Sequence, residues 1–258
     1  MTPPVLSELA LRQAQGERVE GPRALVIVPT FNERENLPVV VAALMRHPDV
    51  SVLVVDDRSP DGTGAVADQL AAQHPGRIEV MHRVERPGLG RSYIDGIRHV
   101  LDRPFDVICQ MDCDLSHDPK QLPQLIAAID GADVVIGSRY VPGGQVVNWP
   151  LRRRVLSRLA NTYIRLITRM RPHDCTSGYR CWRRDALAKL PLDRFGSEGY
   201  SFLVEMLFLA SAFGCRIAEV PITFVERRQG ESKLSSAVLA ESAITPWRLI
   251  ATRSRIGR

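Results

Sequence analysis

Two aspartates one residue apart, Asp112 and Asp114, close an apolar run in the stretch VICQMDCDLSHDP, residues 107–119. In an extended backbone, residues i and i+2 point to the same side, so the two carboxylates would face one spot. Like charges that close raise each other's pKa unless a cation lies between them. A hard divalent ion with oxygen ligands answers that repulsion, and Mg²⁺ or Mn²⁺ bound in this way commonly brings a substrate diphosphate. The alternative is a pair of exposed turn aspartates, since Asp is common in turns. Glu33, Asp56, Asp57 and Arg139 stand at comparable points along the chain.

The elements that must position these groups follow from the apolar pattern. ALVIVPTFNERENL reads as a buried strand, Leu25 to Val28, stopped by Pro29, with a polar turn into a helix reaching Met45. SVLVVDDRSPDGT repeats the theme, its helix running from Gly62 to His74-Pro75. RIEVMHR is a third strand followed by a helix in PGLGRSYIDGIRHVLD; FDVICQMD is a fourth, PKQLPQLIAAID a helix, and ADVVIGSRY a fifth strand. Short apolar strands alternating with amphipathic helices predict an α/β fold whose mostly parallel central sheet carries helices on both faces. Functional groups in such folds gather at the carboxyl ends of the strands, where the acids and Arg139 fall. Residues 151–171 form a helix with seven arginines and no acid, 173–182 a polar loop, and PITFVERRQGESKL a strand with a basic loop. Residues 1–22 read as a loosely ordered leader and 23–258 as one domain with a basic C-terminal tail.

With 258 residues, of which 45% are hydrophobic and 24% charged, the composition is that of a soluble globular protein. The formal net charge of +5 calls for an anionic partner without choosing its class. Five cysteines with no C-x-x-C pair argue against a zinc ribbon or disulfide scaffold and fit a reducing compartment. No signal peptide or transmembrane helix is read; the longest apolar stretch, FLVEMLFLASAF at 202–213, is too short and contains Glu205. A dinucleotide fold wants G-x-G-x-x-G after the first strand, and the first turn, PTFNERENL, has no glycine. The later Gly88 to Gly90 follows the third strand and reads as helix-start or close-packing chemistry. No P-loop motif is present.

In order over residues 25 to 234 come PTFNERENL, VVDDRSPDGT, GLG, MDCDLSHDP, GSRYVPGG, NWPLRRRVLS, TSGYR and RRQGESKL. Together they resemble the polyprenyl-phosphate mannose synthases, within the inverting family-2 glycosyltransferases of GT-A fold. The resemblance implies transfer of mannose from GDP-mannose to a polyprenyl, dolichyl-type monophosphate, with Mg²⁺ or Mn²⁺ as cofactor. It places the guanosine end against Pro29, Phe31, Glu33, Val55 and Asp57, with Phe31 standing where the family usually has Tyr. Helix N-capping is the other role open to Asp56 and Asp57; function is assigned to Asp57, and Asp56 stays open between the two. Asp112, the Cys113 backbone and Asp114 fall on the metal and diphosphate site, with Ser116 as a third metal contact, direct or through water, where some relatives carry Gln. Arg139, Arg153 and Ser157 match the acceptor-phosphate positions, and Arg227 and Lys233 a loop hinged at Gly230 that closes over the donor. Asp112, Asp114, Arg139 and Arg227 are the expected catalytic set. Asp174 and Ser177 of DCTSGYR fall at the acceptor entrance, a structural turn being the alternative.

The chemistry suits these residue types. Charge grows on the departing diphosphate, where a clamped cation stabilises it. The acceptor phosphate, with a second pKa of about 6 by analogy with protein phosphates, attacks without losing a proton, so direct inverting displacement needs no general base. An apolar stripe (Val155, Leu156, Leu159, Tyr163, Leu166, Ile167, Met170) flanked by Arg152, Arg158, Arg165 and Arg169 gives helix 151–171 an interfacial composition; packing on its own domain is the alternative. The expectation is peripheral docking on the cytoplasmic leaflet, on an anionic membrane surface, with a separate membrane-anchoring protein as a further partner. Two other readings stay open: the same fold using UDP-glucose or another nucleotide sugar, and a non-catalytic basic binder of nucleic acid or membrane. No nucleic-acid partner is expected, because the acidic cluster repels phosphates unless a metal is bound.

Overall fold

The computed structural model describes residues 21–84, 88–195, 199–226, 241 and 243–251. Most of the leader, the segment holding Arg227, Gly230 and Lys233, and the last residues of the basic tail lie outside these. Helices and strands alternate as β1 (Ala24–Thr30), α1 (Asn36–Leu44), β2 (Val50–Asp56), α2 (Thr63–Gln73), β3 (Ile78–His82), α3 (Leu89–Val100) and β4 (Val107–Gln110). A short α4 (Leu122–Ala127), flanked by 3₁₀ turns, leads to β5 (Val134–Ser138). There follow β6 (Gln145–Val147), α5 (Leu151–Thr168), β7 (Arg180–Arg183), α6 (Arg184–Leu187), α7 (Gly199–Ala212), β8 (Ile217–Pro221) and β9 (Thr223–Val225).

Seven strands form one sheet in the order β3-β2-β1-β4-β7-β5-β8. All run the same way except β7, which is antiparallel to both β4 and β5. A two-stranded parallel sheet, β6 with β9, stands apart. Because both faces of the large sheet are covered, its central strands β1, β2, β4 and β5 read as largely apolar runs rather than alternating ones. In β1, Ala24, Val26 and Val28 pack on one side with Leu37, Val41 and Leu44 of α1. Leu25 and Ile27 pack on the other with Ile94 and Ile97 of α3 and Phe202 and Met206 of α7. A third cluster joins α5 to α7 through Ile164, Val204 and Phe208. Gly90 is required by this packing: a Cβ there would lie 2.9 Å from Cβ and Cγ of Phe202, so the close-packing reading of the GLG stretch holds.

Several expectations need correction. Pro29 does not stop β1; it pairs in register with Val55. The ladder to β4 already ends at Ile27, so on that side Pro29 sits at an edge where its missing N–H is not needed. The fourth strand ends at Gln110, before the aspartates. The stretch 119–131 is broken into a 3₁₀ turn, one α-helical segment and a second 3₁₀ turn. The basic helix stops at Thr168, where Arg169 takes a left-handed φ of 59°. The polar loop expected at 173–182 contains the start of β7.

Candidate active site

The loops after β1 and β2 hold each other. Asp56, buried, accepts from Thr30 Oγ1 at 3.2 Å, Ser59 Oγ at 2.6 Å and Ser59 N at 3.3 Å, which makes it an organiser of the turn. The residue at the start of α2 is Gly62, without a side-chain cap, and just before it Asp61 accepts from the backbone N–H and the hydroxyl of Thr63 at 2.9 and 2.5 Å. Glu33 donates its N–H to Thr63 Oγ1 at 3.0 Å and accepts from Asn36 Nδ2 at 2.7 Å. Phe31 is 39% exposed, and Pro29 is half-buried beside it. Val55 is fully buried in the core, so a ligand can meet its backbone and not its side chain. Asp57 is buried too; Oδ2 accepts from Gly88 N at 2.6 Å and Oδ1 pairs with Arg83, whose Nε reaches Asp95 at 2.8 Å. A nucleotide contact at Asp57 therefore shares a carboxylate that Arg83 already orients.

Past β4 the chain turns sharply, and Leu115 adopts φ 62°. This left-handed residue, unfavourable for a bulky side chain, lies between Asp114 and Ser116; Ser116 N donates to Asp114 Oδ1 at 3.0 Å. Strand alternation does not aim the two carboxylates, since the strand has ended; this turn does. Asp112 is fixed from two directions. Its Oδ1 accepts from the buried Tyr93 hydroxyl at 3.1 Å, and its N–H donates to His117 Nδ1 at 3.2 Å. His117 is buried and stacks on Tyr179 with centroids 5.0 Å apart. Burial pushes the His117 pKa down, although Asp112 and Asp114 oppose it. Burial, then Glu33, Asp114 and Asp112, pushes the Cys113 thiol well up, so its backbone is the available group. A Cβ on Gly178 would come within 3.3 Å of Asp112 Oδ2, so the backbone of the 173–182 segment closes against the aspartate.

These donors fit a Mg²⁺- or Mn²⁺-type ion. Among the described residues no group of three or more His, Cys, Asp or Glu is placed to hold a metal. Asp112, Asp114 and Ser116 line a common cavity, which suits an ion held by one or two carboxylates and completed by water and substrate phosphate.

That cavity, about 480 Å³, continues past Arg139, Arg153 and Ser157 and then between α5 and α7, where Leu156, Leu159, Ile164, Leu203 and Val204 line it. Arg139 is held in a fork: Nε and Nη2 each donate to Asp174 at 2.7 Å, its backbone N–H to the same carboxylate at 3.0 Å, and Nη2 to Thr176 at 2.7 Å. Burial alone would raise the fully buried Asp174 carboxyl, yet the Arg139 charge and hydrogen bonds hold it below the ordinary value. Asp174 thus lies behind Arg139 rather than at the acceptor entrance; Ser177 does line the cavity and donates to Gly137 O at 2.6 Å. Arg153 pairs with Glu226 and stacks over Trp149 at 4.1 Å, and Ser157 accepts from Tyr140 Oη at 2.6 Å. The Trp149 indole N–H is buried with no partner among the described residues, a donor awaiting an acceptor beside the arginines.

Arg180, fully buried, donates to the carbonyls of Ser177, Cys175 and Leu203 at 2.7–2.9 Å, tying the loop before β7 to α7; burial lowers its pKa to about 10. Sequence reasoning did not assign Arg83, Tyr93, His117 or Arg180. A cation closing the third strand opposite an acidic turn was the available signal for Arg83; the others carried none. Arg227 and Lys233 lie outside the described residues.

The family described as glycosyl transferase family 2 has a model that matches residues 25–190. The polyprenol monophosphomannose synthase of Mycolicibacterium smegmatis is 48% identical over 240 residues, 92% of this chain and 89% of that protein. The undecaprenyl-phosphate mannosyltransferase of Micrococcus luteus is 48% identical over 242 residues, 91% of this chain and 99% of that protein. Among solved structures, the mannosyltransferase PcManGT from Pyrobaculum calidifontis in complex with GDP-Man and Mn²⁺ aligns at TM-score 0.53 and 17% identity, covering 92% of this chain and 74% of that one.

Proposed function

The chain belongs to glycosyl transferase family 2, and from that premise we propose that it transfers mannose from GDP-mannose to a polyprenyl monophosphate, with inversion, giving polyprenyl-phosphate mannose and GDP. One observation carries the reading. The wall bearing Asp112 and Asp114 continues within a single cavity to Arg139, Arg153 and Ser157 and then to an apolar channel, so an anionic donor, an anionic acceptor and a hydrocarbon tail have adjoining places. The names of the two 48%-identical relatives support both the sugar and the lipid acceptor.

In this reading Phe31, Glu33 and Asp57 receive the nucleoside, while Asp112, Asp114 and Ser116 face the diphosphate. A divalent cation held there supplies Lewis-acid stabilisation of the charge left on the departing GDP. Arg139, locked by Asp174, and Arg153, backed by Trp149, present guanidinium groups to the acceptor phosphate. No carboxylate other than Asp112 and Asp114 lines the cavity among the described residues, which accords with an acceptor that needs no proton removed. Arg227 and Lys233 are assigned to the donor side by resemblance.

The lipid-facing end supports peripheral membrane docking. Leu151, Leu159 and Leu166 of α5 are exposed, as are Ile244 and Trp247 in the helical stretch 243–251, and Trp247 Nε1 ties this stretch to Tyr163 Oη at 2.7 Å. No helix among the described residues is long and apolar enough to cross a membrane. We place the protein on the cytoplasmic leaflet, held by anionic lipid and by a separate anchoring protein. The decisive experiment is transfer of radiolabel from GDP-mannose to a polyprenyl phosphate, with and without chelator, beside UDP-glucose as competing donor. Absence of chelator-sensitive labelling from GDP-mannose overturns the assignment.

A further inference from the structure

A second cavity, about 250 Å³, shares Arg139 with the first; Tyr140, Gly144, Gln145, Val146, Arg154 and Arg158 complete its wall. No acid lines it. The Arg139 guanidinium is matched by Asp174, so the uncompensated charge comes from Arg154 and Arg158. These stand one helical turn apart on one flank of α5, and neither has an ion pair or a side-chain hydrogen bond among the described residues. The Arg158 guanidinium rests 5.7 Å from the centre of the Tyr140 ring, and the hydrogen bond from Tyr140 Oη to Ser157 holds that ring in place. Two arginines left unpaired beside an acid-free concavity form an anion site. Its volume lies below that of ordinary small-molecule pockets and suits a phosphate with its immediate ester substituents.

We propose that this second cavity is a headgroup pocket for an anionic phospholipid, separate from the acceptor-phosphate site, with Arg154 and Arg158 gripping the phosphodiester. The choice of a lipid over a soluble phosphate comes from the neighbouring surface. Leu151, Val155 and Leu159, interleaved with the two arginines along α5, are all exposed, and an apolar row beside a basic flank is the pattern of a helix lying in a bilayer surface. A free phosphate in water has no use for that row. The proposal rests on the membrane-docking part of the function above and adds a defined site to it.

The test compares charge-matched pairs by flotation of the full chain with phosphatidylcholine vesicles containing or lacking phosphatidylglycerol. General attraction to an anionic surface is worth about fivefold for an arginine lying at that surface and falls off within a Debye length, hence at most about 25-fold for a pair. Direct hydrogen bonds to a charged group add about tenfold or more. Arg154→Gln with Arg158→Gln should therefore weaken binding to phosphatidylglycerol vesicles about 250-fold or more, tenfold beyond what charge loss alone can give. Arg152→Gln with Arg171→Gln, two exposed arginines outside the pocket, should weaken it by no more than about 25-fold. Equal losses overturn the proposal. Titration with inorganic phosphate and with glycerophosphoglycerol distinguishes the sources: saturation by either as tight as by the vesicles, lost in the Arg154/Arg158 pair, reassigns the site to a soluble anion. Turnover on detergent-solubilised polyprenyl phosphate should be unchanged in this pair; a fall there merges the pocket with the acceptor site and also overturns the proposal. A wild-type protein that binds vesicles but transfers no mannose sinks the proposed function while leaving the comparison of pairs intact.

Discussion

Replacing Asp174 with Asn tests how the acceptor arginine is held. The carboxylate accepts from Arg139 Nε, Nη2 and backbone N–H, and from the Thr176 hydroxyl at 3.3 Å, with no exposure to water. An amide keeps one accepting oxygen and turns an N–H₂ group toward donors, leaving a buried guanidinium without its counter-charge. Breaking a buried pair from one side costs about 3–5 kcal/mol. At roughly 2–4 °C per kcal/mol for a chain of this size, that is a fall in Tm of about 6–20 °C. The carboxyl's folded pKa lies below its ordinary 3.8, so its contribution is fully present above that value and fades as pH falls through the lower folded one. The stability gap between the two proteins should be constant near neutrality and narrow in acid. In steady-state assays the acceptor KM should rise about tenfold or more, while kcat at saturating acceptor stays within about tenfold of wild type, because Asp174 positions Arg139 and touches no reacting atom. A kcat collapse with unchanged acceptor KM and unchanged Tm would refute this reasoning and make Asp174 a participant in the chemistry.

Other perturbations separate the remaining parts of the site. Asp114→Ala should lower kcat by about 10²–10³ and abolish manganese-assisted GDP uptake in calorimetry, as expected when a preorganised charge partner is removed; retention of that uptake would contradict the assigned role. Tyr93→Phe deletes only the hydroxyl on Asp112 Oδ1 and should weaken Mn²⁺ binding about 10-fold by titration, in the range for supporting contacts of metal ligands, with little change in Tm. Gly90→Ala forces a methyl against Phe202 and should cost about 1–3 kcal/mol in chemical denaturation; an unchanged midpoint would mean that α3 shifts freely.

Much of this molecule is readable from its residues, and the exceptions share a cause. The strands β1, β2, β4 and β5 announce themselves because a sheet covered on both faces needs largely apolar runs. The strand β7, RCWR, does not: it has four residues, two of them arginines. Arg180 is tolerated inside only because three backbone carbonyls converge on it, a convergence of distant segments that no local pattern encodes. The aspartates are legible as a chemical pair, but their aim is not, since Tyr93 and His117 hold Asp112 and the turn through Leu115 to Ser116 holds Asp114, not strand alternation. Asp56 and Asp57 are adjacent and alike in sequence; only their partners, Ser59 and Thr30 for one, Arg83 and Gly88 for the other, part their roles. For the same reason the sequence leaves Asp174 open between an entrance residue and a structural turn: its burial is decided by Arg139, 35 positions away.

The reversed strand β7 fixes the scale of the reaction. Its Arg180 is in register with Gln110 of β4 on one side and Ile136 of β5 on the other. The loop bearing Asp112 leaves one neighbour and the loop bearing Arg139 leaves the other, so their roots are two interstrand steps apart, about 9–10 Å. Hydrogen-bonded ladders set that span like the teeth of a gauge, and it will not stretch for a bulkier transferred group. Adaptation to other sugars or acceptors must then come through side chains at the jaws, while the gap between them stays as the sheet made it.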